Sequence, residues 1–342
     1  MTLFAIATIT PAVLIILAAV FGGLWPFFAF GYMTVIVFTL DRLAAHNTEN
    51  PDPEVEFPGA RPLLALLGLG HFVALGISVW AVGGQAGIGI TSQVLLGLAS
   101  ALAFGQIAHP VAHELIHKPN RFLRLMGRWI YTSLLVGHHA SAHLRVHHVY
   151  VGSNSDPNSA RLGEGFYRFA LRAGIGSFRA GLRAESVLLQ RGGKPWLTHP
   201  YLQYVGGGIA FILGAYVLAG VGGILCYVAM CSYAQMQILM SDYVQHYGLR
   251  RKVRPDGKLE PVGPQHSWNA PHWFSSAVTL NAPRHSDHHV TPSRDYPVLQ
   301  LHPDNMPMLP YSLPVMAALC LVPPLWRRTM DHRARKWAAF EI

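Results

Sequence analysis

Charge is what this chain lacks most. Only 13% of its 342 residues are Asp, Glu, Lys or Arg, against about 25% in ordinary soluble domains. That shortage excludes a soluble globular domain and implies an integral membrane protein. Cysteine is scarce too. Cys226, Cys231 and Cys320 are the three in the chain, and none forms a C-x-x-C pair, so no iron–sulfur, rubredoxin-like or disulfide framework is encoded. No basic stretch precedes the first apolar run, which continues into a second one, so the N-terminus is expected to be retained structure and not a signal peptide. The glycine clusters lie within apolar spans, outside any strand–turn–helix context for a flavin or dinucleotide. The net charge of +9 does not point to nucleic acid, because the basic residues are not interleaved with an aromatic stacking platform.

What is present is a set of long uncharged runs. The first charge is Asp41, and the roughly 40 residues before it suffice for two crossings, divided by Gly22-Gly23 and Pro26. Residues 62–113 and 195–241 are also free of charge, with breaks at 83–87 and near 220–223. The pattern predicts one domain over 1–342: an all-α integral membrane bundle of six transmembrane helices, in three hairpins at about 3–40, 62–112 and 200–241. Histidine-rich segments 113–194 and 242–342 complete it. The turns within the hairpins carry no charge, whereas the arginines and lysines share the other face with both termini. The positive-inside rule makes that face the cytoplasm. Residues 129–137 are too short to span and are expected to be buried or re-entrant. Residues 306–326 contain five prolines and are expected in the interface, against the cytoplasmic part. Arg168, Arg172, Arg179 and Arg183 recur among apolar residues, as in an amphipathic helix on a membrane surface.

Histidine carries the chemistry. His285, His288 and His289 fall within five residues, and three imidazoles so close are costly in a membrane-type chain unless something binds them. His113-Glu114-Leu115-Ile116-His117 follows the fourth apolar span, and on a continued helix its two histidines share one face and can bind one ion. H-E-x-x-H is also a zinc-protease signature, but a hydrolytic zinc site needs three protein ligands and an open position. His143-Leu144-Arg145-Val146-His147-His148 is a second array, and His246 closes the last span. The nine imidazoles suit iron, copper, nickel or zinc alike. Their number fits two irons, each with room for oxygen. Glu114, Asp156, Asp242 and Asp287 lie beside these histidines and are expected to orient imidazoles. His109 is expected to be a hydrogen-bonding helper, and His138 and His139 to stand outside the ligand set. Trp25, Trp80 and Trp129 read as interface anchors.

These motifs resemble the AlkB-type integral-membrane alkane monooxygenases, within the class of membrane desaturases and hydroxylases. The family's boxes correspond here to HELIHK (113–118), HLRVHH (143–148), RHSDHH (284–289) and the HYG motif at 246–248. The resemblance implies six helices and a non-haem di-iron centre with nine ligands: His113, His117, His143, His147, His148, His246, His285, His288 and His289. It also implies O2-dependent hydroxylation of a terminal C–H bond on a hydrophobic substrate drawn from the bilayer. Electrons would come from a rubredoxin or ferredoxin-type donor with an NAD(P)H-dependent reductase, at the cytoplasmic side of a bacterial-type inner membrane. The sequence departs from the family at Ala142, Val146 and Gln245, where Glu, Gly and Glu are usual, and a plain medium-chain n-alkane is the less expected substrate for it. A xylene-type methyl hydroxylase and an acyl-lipid desaturase are the enzyme alternatives. The H-x3-H-H spacing of the second box favours hydroxylation, since desaturases usually have H-x2-H-H. A histidine-rich metal transporter is disfavoured, because transporters bind near the bilayer midplane and these histidines gather at one face.

Overall fold

The computed structural model describes residues 1–44 and 46–339. Among them there is no strand, only two isolated bridges, Val253 with Leu259 and Asn269 with Met308. Five helices are long and apolar enough to cross a membrane: α1 (Thr2–Phe21), α2 (Trp25–Leu43), α3 (Ala60–Val82), α4 (Ile90–His117) and a 47-residue helix, Pro200–His246. Between them lie α5 (Arg121–Ser133), a helical segment α6 (His139–Tyr150) and α7 (Phe166–Arg191), so the 47-residue helix is α8. Short helices α9 (Trp273–Val278) and α10 (His285–Val290) follow, and then α11 (Leu313–Cys320) and α12 (Pro323–Ala339).

Among the described residues, five long apolar helical stretches stand where six spans are expected, and the reason is local. A straight α8 would be about 70 Å long, more than twice a bilayer's hydrocarbon core. Its helical geometry fails at Ala219 (φ −152°, ψ 27°) and Gly220 (φ 59°, ψ −147°), the second a conformation essentially confined to glycine. In a straight helix, Gly207 and Tyr227 would lie about 30 Å apart. Here a Cβ on Gly207 would fall 2.6 Å from Thr132 Cγ2, while Tyr227 Oη donates to the Ser133 carbonyl at 2.6 Å. The two halves of α8 therefore fold back along one another. The α1–α2 turn likewise uses two left-handed glycines, Gly22 and Gly23 (φ 59° and 58°).

Large apolar side chains on the outer helix faces are exposed, among them Val13, Leu69, Leu213, Val217 and Leu225. Such surface is stable only against lipid, so the chain is an integral membrane protein. The expected re-entrant piece is α5 with a turn into α6, its end buried at Ile130, Tyr131, Thr132 and Ser133. The amphipathic segment forms α7, which buries Phe166, Phe169, Ala173, Ser177 and Gly181 at helical spacing. The proline-rich tail becomes α11 and the start of α12. It packs over the end of α8, with Trp326 against Tyr243 and Tyr247 at 5.1 and 5.2 Å. Tyr247 Oη also donates to Asp331 at 2.6 Å, so this tail covers the end of the bundle that carries the histidines.

Candidate metal centre

Helix α4 runs past the expected boundary to His117, and a π turn at Phe104–Ala108 sits directly before its histidine-bearing end. His113 and His117 thereby share one face. The second box is less simple. On an α-helix, His147 would point about 40° and His148 about 140° from His143. Residues His143–His147 instead form a π turn, which takes up an extra residue and brings His148 back toward His143. The Nε2 atoms of His143 and His148 lie 2.9 Å apart, while His147 turns to a separate neighbour set. The third box forms α10, whose i, i+3, i+4 spacing puts His285, His288 and His289 on one side.

The nine histidines come together in two groups. His113, His117, His143, His148 and His288 form one, and His147, His246, His285 and His289 the other, with ligand atoms in each within 4.8 Å of one another. The groups adjoin, since the His148 and His289 rings are 4.6 Å apart. Helix α4 supplies only the five-membered group and α8 only the four-membered one, while α6 and α10 supply both.

A metal ion fits the spacings. At metal–nitrogen distances of about 2.0–2.1 Å, nitrogens at right angles around one ion lie about 3.0 Å apart, and tetrahedral ones about 3.4 Å apart. The Nε2 edges are 3.1 Å (His117–His143), 2.9 Å (His143–His148) and 3.3 Å (His148–His288) in the first group. They are 3.0 Å (His246–His285) and 3.1 Å (His285–His289) in the second. Among the described residues nothing hydrogen-bonds the buried His147 Nε2, which leaves it available to a cation. Burial holds His143, His148, His285, His288 and His289 well below the ordinary histidine range, and the neutral form is the one that binds metal. His147 differs: burial lowers it, but the carboxylates of Asp156 and Asp242 outweigh that and leave it raised.

The acidic neighbours separate by contact. Asp156, buried, accepts from His147 Nδ1 at 2.9 Å, from Ser159 Oγ at 2.7 Å and from the Asn158 N–H at 3.0 Å. It fixes the tautomer that leaves His147 Nε2 free to bind. Asp242 receives the Asn158 amide at 2.5 Å, tying the same loop to α8. Asp287 pairs with Arg294 and accepts the Gln300 N–H at 2.9 Å. Glu114 is held by Lys118 at 2.8 Å, and Lys118 also meets Asp295 at 2.6 Å. Of the four acids, only Asp156 reaches an imidazole of the nine. Gln245 bonds the Ala282 carbonyl at 3.0 Å and accepts from Ser241 at 2.8 Å, bracing the turn that leads to the third box. His109 meets Tyr131 Oη at 3.0 Å and stands outside both groups, as do His138 and His139.

Two features had no signal in the sequence. The buried Arg284 guanidinium binds Asn50 Oδ1 and the Leu299 carbonyl at 2.8 Å each and the Glu49 carbonyl at 2.9 Å, so the α2–α3 loop straps α10 in place. A cavity of about 340 Å³ runs from Met33, Val37, Phe38 and Leu102 to His113, His143 and His285. It therefore touches both groups.

A histidine-rich membrane bundle whose helix ends can hold two cations is the class that this fold and site define. The model of the fatty acid desaturase family matches residues 89–319. Alkane 1-monooxygenase 1 of Pseudomonas aeruginosa is 32% identical over 317 residues, covering 88% of this chain and 81% of that protein. Alkane 1-monooxygenase of Ectopseudomonas oleovorans is 32% identical over 320 residues, covering 89% and 77%. The xylene/toluene monooxygenase hydroxylase component of Pseudomonas putida is 29% identical over 226 residues, covering 64% and 58%. The chain belongs to the fatty acid desaturase family, on its alkane 1-monooxygenase branch.

Proposed function

We propose that this chain is a membrane alkyl hydroxylase, an oxidoreductase that uses two iron ions, O2 and external electrons to convert a terminal C–H bond of a hydrophobic chain into a primary alcohol. The observation that carries the reading is the cavity. It is apolar at Met33, Val37, Phe38 and Leu102 and ends at histidines of both groups. When bound, the irons would supply the O2 activation and oxidising power, which no side chain can. The five-histidine and four-histidine groups would each hold one ion, with Asp156 keeping His147 in its binding tautomer.

The protein's own work is positioning. An alkyl chain offers no hydrogen bonds, so the cavity walls must orient it by shape, hold its end at the imidazole-lined floor and keep water out. Six spans follow if the halves of α8 each cross the bilayer. The positive-inside rule, applied to the basic residues at the histidine end, supports a cytoplasmic location for that end, in a bacterial-type inner membrane. The donor would be a rubredoxin or ferredoxin-type protein with its NAD(P)H-dependent reductase.

One observation favours a functionalised chain as a second reading. Two acceptors on the cavity wall are buried without a donor among the described residues, Asp41 Oδ2 and Gln106 Oε1. The orientation of Gln106 follows from its neighbours. Gln237 Nε2 must serve the Ala101 carbonyl at 2.8 Å, so Gln237 Oε1 faces Gln106 Nε2. A substrate carrying a hydroxyl or N–H group would satisfy these atoms.

The test is product analysis from membranes supplied with NADH, rubredoxin and reductase under 18O2, with alkanes, alkan-1-ols, alkylbenzenes and acyl lipids offered together. Labelled primary alcohol is expected, and labelled diol would select the second reading. Unlabelled alkene would make the chain a desaturase instead.

A further inference from the structure

A second cavity, of about 650 Å³, is lined mainly by α5 and α6 and by none of the nine histidines. Three arginines of α5, Arg121, Arg124 and Arg128, line it at i, i+3 and i+7, hence on one helix face. Arg145 of α6 and Lys194, before α8, add two more cations. Among the described residues, the one carboxylate on its wall is Glu185, 3.8 Å from Arg145. Arg128 lies over the Tyr204 ring at 5.5 Å, and its buried Nε has no partner among the described residues. Five cations line the wall beside that one acid, Arg128 with a buried unmet donor and Arg124 with Nη1 given to the Lys118 and Pro119 carbonyls. Such a wall makes a site for an anion with several oxygen acceptors.

The basic cavity does not stand alone. An apolar groove of about 270 Å³ runs beside it, walled by Leu69 and Phe72 of α3, Trp129 of α5 and Phe211 of α8. Phe122 and Leu125 line both spaces, and both side chains are exposed. An apolar groove on membrane helices that opens into a basic pocket matches an amphiphile with an anionic head, and basic pockets between membrane helices bind such lipids. We propose that this surface binds one anionic phospholipid, its phosphate among Arg121, Arg124, Arg128, Arg145 and Lys194 and an acyl chain along Leu69, Phe72, Trp129 and Phe211. The proposal does not depend on the hydroxylase reading, since neither cavity contains a histidine of the two groups.

The phosphate chemistry alone would also suit a free anion, and the apolar groove separates the two. The full-length protein would be purified in detergent, delipidated and examined by native mass spectrometry. The probes are dioleoylphosphatidylglycerol, dioleoylphosphatidylcholine and inorganic phosphate as competitor. One phosphatidylglycerol per chain is expected, held about tenfold or more tighter than phosphatidylcholine. The double variant R121Q/R124Q should weaken it by about tenfold or more, Leu125→Ser should also weaken it, and millimolar phosphate should not displace it. Equal retention of the two lipids, or undiminished binding in both variants, would overturn the proposal. So would displacement by phosphate with Leu125→Ser inert, which would assign a free-anion site. If the double variant does not fold to the wild-type melting temperature, the exposed single change Lys194→Gln serves in its place, with about fivefold weaker binding expected.

Discussion

Asp156→Asn is the sharpest perturbation of the metal centre, because it alters one carboxylate by a single isosteric exchange. Asp156 accepts from His147 Nδ1, Ser159 Oγ and the Asn158 N–H. An asparagine has one acceptor oxygen and one donor NH2, so it cannot serve all three. With its NH2 toward His147, the imidazole must accept at Nδ1 and carry its proton on Nε2, the atom that the proposed site offers to a metal. With its oxygen toward His147, the NH2 meets the Asn158 N–H, and a buried bond is lost. Removal of such an outer partner typically lowers metal affinity or activity by about 10- to 100-fold, or about 1.4–2.7 kcal/mol. Only the four-histidine group contains His147, so one ion of two should become labile. Chelator titration of the metal-loaded variant, followed by metal analysis, reads this directly. Wild-type resistance of both ions, or equal loss of both, would refute the reasoning.

Three further outcomes are expected. Lys118→Met leaves Glu114 and Asp295 without their shared cation; breaking a buried pair costs about 3–5 kcal/mol, toward the lower end here because Asp295 is partly exposed, and a second change, Glu114→Gln, should recover part of the lost melting temperature. Gly220→Ala forces a side chain into a backbone conformation essentially confined to glycine, at a cost of about 1–3 kcal/mol, read as lower thermal stability or membrane insertion yield. His138, packed on Phe178, has its pKa lowered by burial to about 4, so below its ordinary value of 6.5 the unfolded chain takes up a proton that the native one refuses. Stability is then fully present above pH 6.5 and falls as pH drops toward 4, and His138→Phe should flatten that part of a pH–melting profile.

The gathering of the nine histidines was legible because i, i+4 spacing at the end of an apolar span puts imidazoles on one face. Their division was not. The rule that pairs His113 with His117 fails for His143 and His147, because a π turn redirects the later residues, and nothing in His-Leu-Arg-Val-His marks that turn. Among the four acids near these histidines in sequence, Asp156 was indistinguishable from Glu114 and Asp287, since which of them reaches an imidazole depends on where Lys118 and Arg294 lie. The break in α8 was visible as a glycine cluster near residues 220–223, but a helix count by length still merges its two halves. The cavities were invisible, because their walls come from segments far apart in the chain, as with Phe38, Leu102, Met240 and Leu313.

The central claim is that two adjoining histidine groups each hold an iron. Metal analysis of the purified, folded chain tests it most directly, together with a variant in which His285 and His289 are both alanine. About two irons per wild-type chain are predicted, falling to about one in the variant with the five-histidine group still loaded. A single metal ion per wild-type chain, or a variant that keeps both, would contradict it.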